Sequence, residues 1–118
     1  MPFDWRDNFA LAIELASRKD EASLRCAIGR AYYAVFGSAR SLWITQHGSV
    51  PLDINVHNFL WNEYKQADRQ RSFIGKDGTR LLKYRNQADY ADEFPDLQSV
   101  AQTALVIAKK TLDNLDAL

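Results

Sequence analysis

One cysteine, two histidines, three prolines and five glycines in 118 residues are all that the chain offers of each, and every shortage excludes something. A lone Cys26 rules out an intramolecular disulfide and fits a reducing, cytoplasmic location. It falls among small apolar neighbours in a helical pattern, which reads as an inert thiol rather than a nucleophile. His47 and His57 are not spaced like the ligands of a zinc site, and no HExxH or CxxC occurs, so no metal and no cofactor is expected. The segment GKDGT at 75–79 lacks the Lys-Ser/Thr ending and the preceding strand of a phosphate loop. No apolar run approaches the ~18 residues that cross a bilayer, so no membrane partner is expected. The start, MPFDWRDNF, is acidic and aromatic, unlike a signal peptide.

What is present is a globular composition, 47% apolar and 25% charged, in a length that suits one domain over 1–118. Trp5, Phe9, Ile13 and Ala16 recur at helical steps, predicting a first helix over 4–18 with Asp4 as its cap. Asp20 caps a second over 21–46, with Leu24, Ala27, Ile28, Ala31, Val35 and Leu42 as its apolar stripe. The small residues beside that stripe, Gly29 and Gly37 among them, mark it as the central helix. HGSVPLD at 47–53 breaks the pattern. A third helix is predicted over 53–69, a basic loop or turn over 69–78, and a fourth helix over 77–91. Asp96 caps the last helix, which runs to about 116. No segment alternates with period two. The expected fold is therefore all-α, an antiparallel up-and-down bundle of about five helices.

Net charge is +0, but its distribution is uneven. Between 62 and 85, Lys65, Arg69, Arg71, Lys76, Arg80, Lys83 and Arg85 face only Glu63, Asp68 and Asp77; beyond 85 the acids dominate. The basic third could present a cationic patch to a phosphate-bearing partner, or simply form solvated faces that pair across the bundle. On the fourth helix Arg85 and Asp89 form an i,i+4 pair, with Asn86 and Tyr90 one step round. Arg85 reads either as half of a surface bridge or as a fork for a phosphate. On the second helix Arg30 is either a buried pair member, with Asp89 as the partner, or part of a pocket. Core packing accounts for at least two of Tyr32, Tyr33 and Phe36.

These segments, GRAYYAVFGSA at 29–39, His57 leading the third helix, KYRNQADY at 83–90 and an alanine-rich last helix, together resemble the HEPN superfamily, in its short stand-alone prokaryotic form. The resemblance covers about 20–115. It implies a helical homodimer, often beside a minimal nucleotidyltransferase antitoxin in toxin–antitoxin or antiviral defence modules. Many members are metal-independent ribonucleases with an Arg-x-x-x-x-His motif. That motif maps its arginine onto Arg85, the following polar position onto Asn86 and its histidine onto Tyr90, a departure. Tyrosine, with an ordinary pKa of ~10, is a poor base at neutral pH. The expected site is thus Arg85 and Tyr90 for catalysis, with Arg30, Tyr33, His57, Arg85, Asn86 and Asp89 binding RNA or nucleotide. The competing reading is a non-catalytic interaction or nucleotide-sensing module.

Overall fold

A computed structural model describes residues 2–52 and 54–118. Its helices are α1 (Asp7–Ser17), α2 (Glu21–His47), α3 (Val56–Gln66), α4 (Arg69–Tyr90) and α5 (Leu97–Asp116), and no strand occurs among the described residues. The all-α five-helix architecture is as the periodicity predicts. Asp53, the expected start of the third helix, lies outside the described residues. That helix begins at Val56, where the Asn55 side chain accepts the Asn58 N–H at 3.2 Å.

α2 is the centre. It packs against α1, α4 and α5, while α3 lies mainly on α4. The core runs through Ala27, Ile28, Ala31, Tyr32, Ala34 and Val35 of α2, Leu60 and Trp61 of α3, Ile74 and Leu81 of α4, and Ala104 and Ala108 of α5. Asp20 caps α2 as expected, accepting the Ser23 N–H at 3.0 Å. Gly37 earns its place in mid-helix because a Cβ there would overlap the Trp5 ring.

Three local expectations are corrected. The stretch 69–78 is no loop but the first ten residues of α4, with Asp68 accepting the Arg71 N–H at 2.8 Å. Its glycines serve close packing: a Cβ on Gly78 would lie 2.5 Å from the Trp61 ring, and one on Gly75 2.8 Å from the Trp61 carbonyl oxygen. Each costs about 1 kcal/mol of helix propensity, which the approach of α3 offsets. In α1, Ile13 is 50% exposed, and the buried face is Asn8, Ala12 and Ala16. Small residues let α1 lie close to α2, so the stripe turns by one position. Asp4 accepts the Arg6 N–H in the turn ahead of α1 rather than capping the helix itself. Asp96 has φ 58° and makes no capping bond, since a capping side chain needs extended backbone.

The far end of α4 is held by Arg25, whose Nη1 donates to the carbonyls of Ala88 at 3.0 Å and Ala91 at 2.6 Å. These are carbonyls that a helix terminus leaves without intrahelical partners. Arg25 thereby fixes the turn that carries Arg85 and Asp89.

Candidate functional site

The site is organised by Tyr33 on α2. The guanidinium carbon of Arg30 lies 5.2 Å from the Tyr33 ring centre, and that of Arg85 on α4 lies 5.4 Å from it. Both distances are within cation–π range. The His57 ring, at the start of α3, is 6.2 Å from the same centre. Three separate helices therefore bring Arg30, Tyr33, His57 and Arg85 together.

Arg85 is neither free nor enclosed, with its side chain 19% exposed. Asp89 Oδ2 lies 2.9 Å from its Nε, yet the Nε–H is not aimed at the carboxylate and has no hydrogen-bond acceptor among the described residues. Its Nη1 donates to Asn86 Oδ1 at 3.0 Å. Asp89 is 40% exposed, so solvent screens the pair. The expectation that Arg30 pairs with Asp89 is corrected: Asp89 goes to Arg85, and among the described residues Arg30 Nη1 donates only to the Asn8 amide oxygen, at 3.4 Å. The cluster thus holds two guanidiniums and one carboxylate, and a cation excess of this kind suits an anionic group.

Behind it runs a buried relay. Trp61 Nε1 donates to the Tyr32 hydroxyl oxygen at 3.1 Å, and that hydroxyl lies 2.6 Å from His57 Nδ1. Indole can only donate, and the hydroxyl hydrogen has no other acceptor among the described residues, so Tyr32 donates to Nδ1. This leaves the proton of neutral His57 on Nε2. Phe36 stacks on the imidazole with centres 4.2 Å apart. Burial, and then the nearby Arg85 charge, hold the His57 pKa below its ordinary value. Burial likewise pushes the Tyr32 hydroxyl up. The relay is therefore neutral near pH 7.

Tyr90 does not join this group. It is 76% exposed, and five residues after Arg85 it points about 140° away around the helix. A concavity lies elsewhere too, between the ends of α2 and α3, lined by Trp43, His47, Glu63, Tyr64 and Arg71. It shares none of the cluster's residues. Sequence reasoning left Tyr32 between core packing and the site, and missed Asn8 and Trp61 as partners of the site. The only available signal was that buried tyrosine and tryptophan need a partner for their polar atoms.

The HEPN domain family model matches residues 7–117. The chain belongs to the HEPN family. Comparison with curated proteins found no match, nor did comparison with solved structures. The matched span takes in both segments that carry the resemblance, residues 29–39 on α2 and 83–90 on α4. No helix among the described residues is long and apolar enough to cross a membrane.

Proposed function

We propose that this HEPN domain binds phosphate groups of RNA or of a nucleotide at the Arg30–Tyr33–Arg85 cluster, acting as the toxin-like or effector partner of a two-gene toxin–antitoxin or antiviral module. The observation that carries the reading is the pair of guanidiniums set against one tyrosine ring with a single, half-exposed carboxylate beside them. An incoming phosphate would replace Asp89 at Arg85 and supply the carboxylate-like partner that Arg30 lacks. The Nε2–H of His57 is a third donor for it. Family membership supports a homodimer, a cytoplasmic location and a nucleotidyltransferase antitoxin as partner.

Cleavage on this reading is weak. Attack by a ribose 2′-hydroxyl needs a base to take its proton. His57 is the group in the cluster that ionises near neutrality, but its Nδ1 accepts from Tyr32, and Nε2 carries a hydrogen. It is arranged to donate to a phosphate rather than to accept a proton. Tyr90, at the motif position, faces away from Arg85.

The test is binding of adenosine monophosphate and of the dinucleotide UpA, with product analysis after incubation with total RNA. Wild type is expected to bind both, and Arg85→Ala to weaken binding at least tenfold. Undiminished binding by the variant would remove the proposal. The Arg85–Asp89 approach favours a second reading, a purely structural pair. Under it Asp89→Ala lowers stability by no more than about 1 kcal/mol, because the carboxylate is 40% exposed, and wild type binds neither nucleotide.

A further inference from the structure

Arg69, Phe73, Lys76, Arg80, Lys83 and Tyr90 recur along α4 at steps of three, four and seven, so they form one stripe on that helix. All six are exposed. At about 100° per residue this stripe is centred roughly opposite Arg85, so the basic segment and the Arg30–Arg85 cluster occupy different faces. The stripe has no counter-charge among the described residues. The acids of α4 are Asp77, which meets Lys110 at 3.0 Å, and Asp89, which meets Arg85. Among the described residues none of Arg69, Lys76, Arg80 and Lys83 has a carboxylate within ion-pair distance. Elsewhere the chain pairs its surface arginines and lysines readily, as at Arg6–Asp116, Arg18–Glu14 and Lys109–Asp113.

Two open aromatic rings share the stripe, one between the first two cations and one beyond the last. Phe73 is 50% exposed and lies 5.9 Å from Lys76 Nζ, and Tyr90, 76% exposed, ends the row. Arg80 lies over Tyr84 at 5.7 Å and donates from Nε to its hydroxyl at 3.1 Å. Cations that track a backbone, with open rings beside them on which bases stack, are the chemistry of a single-stranded polynucleotide surface. From Arg69 to Lys83 the stripe is about 21 Å long, the reach of about six stacked nucleotides.

We infer that the outer face of α4 is a second surface, which holds single-stranded nucleic acid along Arg69, Lys76, Arg80 and Lys83 with Phe73 and Tyr90 as stacking platforms. It extends the proposed RNA binding to a face that the phosphate cluster does not reach. An acidic polypeptide would answer the cations but leave the rings unused.

The experiment is fluorescence anisotropy with a labelled 12-nucleotide single-stranded RNA between 50 and 300 mM NaCl. Lys76→Gln/Arg80→Gln/Lys83→Gln is compared with wild type, Phe73→Ala and Arg85→Ala. The triple variant is expected to lower the salt slope by about 2, at ~0.7 per cation on a single strand. Phe73→Ala is expected to weaken binding about tenfold with the slope unchanged. An unchanged slope in the triple variant overturns the inference. So does polyglutamate competing as well as the RNA at equal charge, since that assigns the stripe to an acidic protein. Binding of UpA separates the two faces: the triple variant is expected to keep it, whereas Arg85→Ala loses it if the cluster proposal holds.

Discussion

The Tyr32 hydroxyl lies 2.6 Å from Nδ1 of His57 while also accepting from Trp61, so one fully buried residue links the indole to the imidazole behind the site. Removing it leaves an indole donor and an imidazole acceptor without partners. Tyr32→Phe is therefore expected to lower stability by about 2–4 kcal/mol, from the desolvation of two orphaned groups. Urea unfolding measures this. A loss below 1 kcal/mol would mean that the two groups find other partners.

Acid should loosen the same region. The folded-state pKa of His57 is lowered, by burial first and by Arg85 second, from an ordinary 6.5. The unfolded chain then binds the proton more readily, so stability is full above about pH 6.5 and declines as pH falls toward the folded value. Protonation at Nδ1 also removes the acceptor that Tyr32 uses. Urea midpoints are expected to drop between pH 7 and pH 5, with His57→Gln flattening that drop. Asp20 and Asp68, both lowered chiefly by hydrogen bonds from the residues they cap, Ser23 and Arg71, add a second decline only below about pH 4.

Asp89 competes with any anion for Arg85. Replacing it with Asn keeps its size and removes the charge, so Asp89→Asn is expected to tighten nucleotide binding several-fold. The accompanying stability change is less than about 1 kcal/mol, because an i,i+4 pair this exposed contributes little. Titration calorimetry with adenosine monophosphate reads the first, thermal unfolding the second. Weaker binding by the variant would show that Asp89 itself holds the ligand.

The two mid-helix glycines of α2 should respond with opposite signs. A Cβ at Gly29 meets nothing within 4 Å, whereas one at Gly37 runs into Trp5. Gly29→Ala is expected to stabilise by about 0.5–1 kcal/mol through helix propensity. Gly37→Ala is expected to destabilise by about 1–3 kcal/mol through overpacking. Chemical denaturation of both variants checks the pair.

The helices and their order were legible because apolar periodicity is a local signal, and the Asp20 cap was legible for the same reason. The misplaced start of α4 had a local cause as well. Gly75 and Gly78 read as turn residues, and only the distant Trp61 makes them packing residues. Arg30, Tyr33 and Arg85 could be named from type and spacing, but their convergence on one ring depends on how α2 and α4 pack. The exchange of partners, in which Asp89 goes to Arg85 rather than Arg30, depends on that packing too. His57 carried no positional information until α3 was seated.

That seating rests on a notch. Trp61 fits against Gly75 and Gly78 and also donates to Tyr32, so the depth to which one indole sinks governs where the head of α3 comes to rest. A methyl group added at position 78 would lift that helix like a wedge under a beam and draw the imidazole off the arginine pair. Two residues that bear no side chain, and that touch no ligand, would thus tune the spacing of the donors.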